Sequence, residues 1–258
     1  YPDTNYFFTS ISSININNGD YEQNVYLTGD SRTIYFSENT VYLTYPKHQD
    51  YKSYLVDYVN EVALPVLPEE KDAEVDSILS FDVHDNRKIS FVNEIIFDYS
   101  FSLTGNEKKA FDEKFEKLVE QFEIERTKKY QKTVIHSIGI KNGKMDYKGV
   151  GEVPGNVLNQ FSMDEKNGYL RIATTTGETW RGTSLNHLYV LNNKLDVVGS
   201  VEDLATGERI YSVRFIEDRV YIVTFKQVDP LFVIGLEDPK KPEVLGYLKV
   251  TGYSDYLH

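Results

Sequence analysis

The stretch GEVPGNVLNQFSMDEKNGYLRIATTT, residues 151–176, decides the fold. Pro154-Gly155 predicts the entry of the chain into a new structural unit, and an inner strand is expected from Leu158 onward. The tripeptide Lys166-Asn167-Gly168 predicts a tight turn, because Asn and Gly tolerate positive φ angles. A second strand follows it. The stretch is therefore a strand–turn–strand unit, and weaker copies of it occur on both sides.

Two other stretches repeat the order of a strand, an acidic-polar turn and a second strand. Residues 31–45 read SRTIYFSENTVYLTY, and residues 210–224 read IYSVRFIEDRVYIVT. A glycine precedes each copy and also a shorter fourth one: Gly29, Gly155, Gly207 and Gly252. The last two intervals, 52 and 45 residues, match the period of a four-stranded propeller blade. The chain is predicted to be mainly β, with antiparallel blades at about residues 156–204 and 207–250.

The first interval is longer because helices are predicted between Tyr45 and Thr133, where the apolar period changes from two to about 3.6. One helix is expected to end at Pro65. A capping box at residues 104–107 predicts the N-terminus of the longest helix. The apolar stripe of that helix is Phe111, Phe115, Leu118, Val119 and Phe122. We therefore predict a helical insertion at residues 47–131, between the second and third strands of one blade. Residues 1–46 then hold a partial blade and the start of the next, and residues 132–258 hold the remaining blades of an incomplete ring.

Composition excludes several functions. The 258 residues are 40% hydrophobic, and 40 acidic against 28 basic side chains give a net charge of −12. An acidic surface without a Lys/Arg stripe repels phosphate backbones, so no nucleic-acid partner is expected. The longest apolar runs are too short to span a membrane. Cysteine is absent, and the five histidines lack metal-ligand spacing, so neither a metal nor a cofactor is expected.

Several long motifs resemble one known family. They are GEVPGNVLNQFSMDE with GYLRIATTT, RIYSVRFI with VTFKQVDPLFVI, and the final GYSDYLH. They resemble secreted archaeal and bacterial proteins whose β-propeller domain is distantly related to WD-repeat propellers. The helical stretch ending in KTVIHSIGI resembles the insertion that those proteins carry. The resemblance covers essentially the whole chain and implies a propeller at the cell surface or beyond, with no catalytic residue to transfer.

Two single residues are candidate binding groups. Arg171 occupies the place of Tyr42 and Tyr221 in the sister copies, and a buried charge needs a partner. It is either paired structurally with a carboxylate of a neighbouring blade or available to a ligand. Trp180, the only tryptophan, lies in a polar loop at residues 175–182. It either anchors a partner or folds back as a local lid.

A further set comes from aligning the starts of the inner strands, which line the central channel of a propeller. The residues at these starts are expected to lie at one height around the channel mouth: Arg32, Asn159, Tyr211 and Asp255. They either bind a ligand or hydrogen-bond neighbouring blades. The residues just beyond them are apolar in every copy and are predicted to pack in the core: Ile34, Phe161, Val213 and Leu257.

Two classes of function remain. The favoured one is an extracellular or cell-surface interaction module that binds a protein or a cell-envelope polysaccharide, with the helical insertion as a recognition arm. The alternative is a hydrolase or lyase that uses carboxylates in the propeller channel. Carboxylates clustered around Arg171 would favour the enzyme, and an apolar funnel would favour binding.

Overall fold

A computed structural model describes residues 6–31, 33–47, 51–225 and 229–250 of the chain. The chain divides into two compact units. The first consists of Tyr1–His48 and Thr127–His258, and the second of Gln49–Arg126. The first unit is built of strands and the second of helices, and each is described by itself.

In its described residues, the first unit contains one two-stranded hairpin and three four-stranded antiparallel sheets, each with its strands paired in chain order. The hairpin is β1 (Phe7–Ile14) and β2 (Tyr21–Thr28). The first sheet is β3 (Thr33–Phe36), β4 (Thr40–Pro46), β5 (Lys132–Lys141) and β6 (Lys144–Pro154). The second sheet is β7 (Met163–Lys166), β8 (Tyr169–Thr176), β9 (Leu185–Leu191) and β10 (Val197–Leu204). The third sheet is β11 (Arg209–Ile216), β12 (Arg219–Phe225), β13 (Asp229–Gly235) and β14 (Glu243–Val250). The predicted four-stranded antiparallel sheets are confirmed.

The turn of the deciding stretch forms as predicted. Asn167 and Gly168 have φ angles of 54° and 77°, and the flanking strands pair antiparallel from Lys166 opposite Tyr169 to Met163 opposite Ile172. Two consecutive positive φ angles give the turn whose twist matches that of the strands. The local sequence therefore fixes the register of the two strands.

The strand before that turn is shorter than predicted. We expected it from Leu158, but residues Gln160–Ser162 form a 3-10 turn and β7 begins only at Met163. The Asn159 side-chain oxygen accepts a hydrogen bond from the Phe161 amide at 2.9 Å, and the Asn159 carbonyl accepts one from Ser162 at 3.0 Å. Asn forms such local turns readily, and they compete with strand pairing.

Successive sheets share apolar cores. Ile11 and Tyr26 of the hairpin pack on Val41 and Leu43 of the first sheet. The first and second sheets share a core that includes Ile135 and Ile172, and the second and third share another that includes Leu188 and Ile222. The first sheet packs against the hairpin and the second sheet, and the second sheet packs against the first and the third. Because both faces of these two sheets are covered, their strands are apolar on both faces.

The second unit is helical. Its elements are α1 (Tyr51–Tyr58), a π-helical turn (Val59–Ala63), α2 (Leu64–Val66), a 3-10 turn (Glu69–Lys71), α3 (Asp72–Leu79), α4 (Asp85–Ser102) and α5 (Gly105–Tyr130), the last of which runs on into the first unit. The prediction that the first helix ends at Pro65 is wrong, because α2 runs through it to Val66. A proline ring clashes with the carbonyl four residues earlier, and the wider π turn, in which the Leu64 amide bonds the Val59 carbonyl, precedes it here. None of the helices in the described part of the chain is long and apolar enough to cross a membrane.

The helical unit has its own apolar core. The predicted stripe of α5 packs into it, with Phe111 and Phe122 buried and the remaining members half-buried. The Tyr58 hydroxyl donates to the Asn93 side-chain oxygen at 2.6 Å, and the Arg126 guanidinium lies 4.1 Å from the centre of the Tyr54 ring. These contacts connect α1, α4 and α5 without any strand.

We expect the strands to fold without the helices. The Lys47 amide donates to the Lys132 carbonyl at 2.7 Å, and Pro46 lies opposite Thr133, so the two ends of the insertion are adjacent. A variant that joins Lys47 to Gln131 through Asn-Gly should lose the helical circular-dichroism signal and keep the strand signal. Loss of both signals would contradict this. The division of the chain at residues 46 and 131 stays a prediction that this variant tests.

Candidate functional site

A cleft of about 330 Å³ opens where the inner edges of the three sheets meet. One wall comes from β3, one from the 3-10 turn and β7, and one from β11. The lining residues are Tyr35, Phe36, Gln160, Phe161, Met163, Asp164, Val213, Arg214 and Phe215. We call this the inner-strand cleft. The first strands of the three sheets, which belong to the repeated strand–turn–strand units, come together there.

The inner-strand cleft is rich in aromatic side chains. Phe36 is 64% exposed and Phe161 is 54% exposed, whereas Tyr35 and Phe215 are half-buried. Phe36 and Phe215 occupy the same place in their sheets, opposite Val41 and Val220. Large apolar rings held open to solvent in a concave site are a typical feature of ligand pockets.

Sequence reasoning missed these aromatic residues. It predicted that Ile34 and Phe161 pack in the core, which is wrong: Ile34 is 39% exposed, and the 3-10 turn places Phe161 at the cleft. The same prediction is confirmed for Val213, which is buried. Leu257 lies outside the described residues. A usable signal was present, because Phe36 and Phe215 share one position in the aligned copies.

Two tyrosines of the first sheet bind the second sheet beside the cleft. The Tyr35 hydroxyl oxygen accepts a hydrogen bond from the Glu165 amide at 3.0 Å, and the Tyr42 hydroxyl donates to the Glu165 carboxylate at 3.0 Å. Burial, reinforced by the charge of Glu165, raises the pKa of Tyr42, so this hydroxyl stays protonated and remains a donor. The carboxylate of Glu165 is thus engaged by the neighbouring sheet.

Arg171 is buried and fully engaged. Its Nε donates to Asp164 Oδ2 at 2.8 Å, Nη2 donates to the same oxygen, and Nη1 donates to the Glu217 carbonyl at 2.8 Å. Its guanidinium also lies 5.2 Å from the centre of the Phe215 ring. The expected ion pair exists, but the predicted partner is wrong. The carboxylate belongs to the strand directly opposite in the same sheet, and the neighbouring sheet supplies a carbonyl and a ring.

Two further carboxylates close to Arg171, Glu217 and Asp218, share one cationic partner. Lys166 Nζ lies 3.1 Å from Glu217 and 2.9 Å from Asp218, at the rim of a smaller cavity of about 140 Å³ that Arg171 also lines. Among the described residues that line the inner-strand cleft, Asp164 is the one carboxylate, and Arg171 neutralises it. Arg214 is the other charged group of the cleft, and it is exposed.

The predicted ring of mouth residues is only partly visible. Arg32 and Asp255 lie outside the described residues. Asn159 is exposed and caps the 3-10 turn rather than beginning a strand. Tyr211 is half-buried at an irregularity of β11, with its ring 5.9 Å from that of Phe225. Neither side chain lines the inner-strand cleft, so their binding role stays a prediction.

Trp180 is 76% exposed, so it does not fold back as a buried lid. It lies in a short 3-10 turn, Thr179–Arg181, whose ends are joined by a hydrogen bond from the Thr183 amide to the Glu178 carbonyl at 3.2 Å. The Arg181 guanidinium lies 4.6 Å from the centre of the indole ring. Its role as a partner anchor stays a prediction, and it is not part of the cleft.

Two buried histidines have structural hydrogen bonds. His136 lies between the hydroxyls of Tyr45, at 3.2 Å, and Tyr147, at 2.9 Å, and burial lowers its pKa. His187 bonds the Thr176 hydroxyl at 2.8 Å and accepts from the Asp203 amide at 3.3 Å. Within the described ranges, no group of three or more His, Cys, Asp or Glu residues could hold a metal ion.

Comparison with known proteins explains the three sheets. A family model described as the beta propeller domain matches residues 1–258. The chain belongs to the β-propeller domain family. The three four-stranded sheets are therefore propeller blades, and the inner-strand cleft lies on the strands that face the propeller centre.

Two archaeal relatives match nearly the whole chain. An uncharacterised protein of Methanocaldococcus jannaschii is 38% identical in an alignment of 259 positions that covers 99% of this chain and 41% of the relative. An uncharacterised protein of Archaeoglobus fulgidus is 33% identical over 258 residues, 99% of this chain and 40% of the relative. The propeller chain thus spans about two fifths of the length of these curated relatives.

Proposed function

We propose that this propeller is an extracellular or cell-surface interaction module that binds a protein segment or a cell-envelope polymer in the inner-strand cleft. The observation that carries the proposal is the set of four aromatic side chains that three blades bring together around one open cavity. Such rings give large contact areas with apolar side chains or with the flat faces of sugar rings, and they dominate the energetics of interfaces.

The charges of the cleft also support binding over hydrolysis. The alternative is a hydrolase or lyase that uses carboxylates, and most glycoside hydrolases need a pair of them flanking the bond that is cleaved. In the described part of the cleft, Asp164 is the single carboxylate, and it forms an ion pair with Arg171. Glu217 and Asp218 are bound to Lys166 at another cavity. Asp164, Glu217 and Asp218 therefore serve contacts within and between blades.

A binding screen with a matched pair of variants tests this proposal. The wild-type chain, Phe161→Ala and Phe97→Ala are each applied to a glycan array and to a displayed peptide library. Phe97 lies on α4 and is 58% exposed, close to the 54% of Phe161. We expect ligands that bind the wild type and Phe97→Ala but bind Phe161→Ala about tenfold more weakly, because the cleft loses an aromatic anchor.

Three outcomes would contradict the proposal. Both variants could lose the same ligands, which would indicate a general loss of apolar surface. Phe161→Ala could keep every ligand, which would exclude the cleft. Shortened glycans could appear after incubation with the wild type, which would favour the enzyme. The proposed location is tested separately, by fractionating cells that produce the natural protein.

A further inference from the structure

A second concave site lies on the first blade and shares no lining residue with the inner-strand cleft. A groove of about 790 Å³ runs along the β5–β6 hairpin and the β3–β4 turn. Its lining residues are Asn39, Thr40, Gly139, Ile140, Lys141, Asn142, Lys144, Asp146 and Lys148. We call it the basic groove, because three of the four charged side chains among its described lining residues are lysines, in a chain whose net charge is −12.

The arrangement of these lysines does not stabilise the fold. Lys141 lies directly opposite Lys144 in the antiparallel register, and like charges in that position repel each other. Within the described part of the chain, neither has a carboxylate at ion-pair distance. Lys148 does have one, Asp146 at 2.6 Å, but the two side chains are 51% and 73% exposed, so water screens the pair. A stabilising role therefore does not account for the cluster.

The backbone holds the lysines in place. Asn142 and Gly143, with φ angles of 51° and 77°, form the two-residue turn that fixes the register of Lys141 and Lys144. At Gly139 an added Cβ would lie 2.7 Å from Lys148 Cε. The aliphatic part of the Lys148 side chain therefore packs over β5 at a residue that has no side chain of its own. The groove therefore presents its cations from a paired hairpin rather than from a flexible loop.

The spacing of the cations favours an extended ligand. Lys144 and Lys148 lie four residues apart on β6, roughly 13 Å along a strand. A chain with repeated negative charges can contact these two lysines and Lys141 at once, because the three cations are distributed along the hairpin. Three lysines are also few for a nucleic acid, which is held by many phosphate contacts and repelled by the acidic chain.

The remaining lining favours a sugar polymer over a protein. Among the described residues that line the groove, Ile140 is the one large apolar side chain, and none is aromatic. Protein interfaces depend on buried aromatic and apolar anchors, which this groove lacks. Asn39, Thr40 and Asn142 instead offer amide and hydroxyl groups that suit the hydroxyls of a glycan. We propose that the basic groove binds an acidic polysaccharide, whose carboxylates or sulfates contact Lys141, Lys144 and Lys148.

Direct titration with size-defined acidic oligosaccharides tests the proposal. Hexamers of galacturonate and of heparin are titrated against the wild-type chain, Lys141→Ala/Lys144→Ala and Lys240→Ala/Lys241→Ala. Lys240 and Lys241 are exposed in the turn before β14, so the control removes the same charge elsewhere. We expect at least one hexamer to bind the wild type and the control, to weaken with added salt, and to bind the groove variant at least tenfold more weakly. Phe161→Ala should leave this binding unchanged, which separates the basic groove from the inner-strand cleft.

Specific results would overturn the proposal. It fails if neither hexamer binds the wild type at low salt, or if the groove variant and the control bind equally. It also fails if neutral maltohexaose binds as well as the charged hexamers, or if inorganic phosphate or a single-stranded DNA hexamer competes at the same concentration. The variant Lys141→Ala/Lys144→Ala should fold normally and melt no lower than the wild type, because it loses a repulsive pair. A lower melting temperature would contradict the claim that these two lysines do not stabilise the fold.

Discussion

Replacing Arg171 by alanine is expected to lower the free energy of unfolding by about 3 kcal/mol. The side chain is 6% exposed and holds both the Asp164 carboxylate of its own blade and the Glu217 carbonyl of the next. Its removal leaves the Asp164 carboxylate without a cation and opens a void beside Phe215. The Asp164 side chain is 29% exposed, so water screens part of its charge and the expected loss lies at the lower end of the range for a broken buried pair.

Chemical denaturation followed by circular dichroism measures this loss, with Arg219→Ala as the matched control. Arg219 is an exposed arginine on the neighbouring blade, so its removal should change the free energy of unfolding by less than about 0.5 kcal/mol. Asp164→Ala and the double variant complete a mutant cycle, and we expect the two single losses to be strongly non-additive. A loss below about 1 kcal/mol for Arg171→Ala would show that the pair is not a structural link between blades.

Local sequence predicted the fold where local chemistry and tertiary packing agree. The Asn167-Gly168 pair predicts a tight turn, the alternation predicts strands, and the apolar stripe of α5 predicts a helix with one buried face. All three are present in the structure. Two errors in secondary structure occurred where a local hydrogen bond or a local distortion prevailed. Asn159 caps a turn in place of the predicted strand, and a π turn carries the helix through Pro65. Neither is visible in the periodicity of apolar residues.

The candidate sites could not be predicted in the same way, because they are assembled from distant parts of the chain. The inner-strand cleft joins Phe36, Phe161 and Phe215, which come together only once three blades pack side by side. The basic groove was missed for a different reason. Asp146 separates Lys144 from Lys148 in the sequence, so no run of basic residues appears, although strand geometry places both in one groove.

Gly155, in the deciding stretch, is expected to be as sensitive to substitution as Arg171. Gly155 lies between the first and second blades with a φ angle of 86°. Its amide donates to the Gln131 carbonyl at 2.6 Å, and its carbonyl accepts from the Thr133 hydroxyl at 2.6 Å. A Cβ added there would lie 2.8 Å from the Thr175 carbonyl oxygen and 2.9 Å from Thr174 Oγ1. Because the nearest of these atoms belongs to the backbone, the neighbouring blade cannot yield without shifting its strand.

Gly155→Ala should therefore lower the free energy of unfolding by about 3 kcal/mol, as the sum of left-handed strain and overpacking. Gly168→Ala separates the two causes. Gly168 has a similar φ angle of 77°, but nothing lies within 4 Å of an added Cβ, so that variant carries the strain alone and should lose about 1 kcal/mol. Denaturation of both variants under the same conditions measures the difference. Equal losses would mean that the first two blades are not in tight contact at Gly155, and that the glycine repeat reflects backbone conformation rather than the close packing of neighbouring blades.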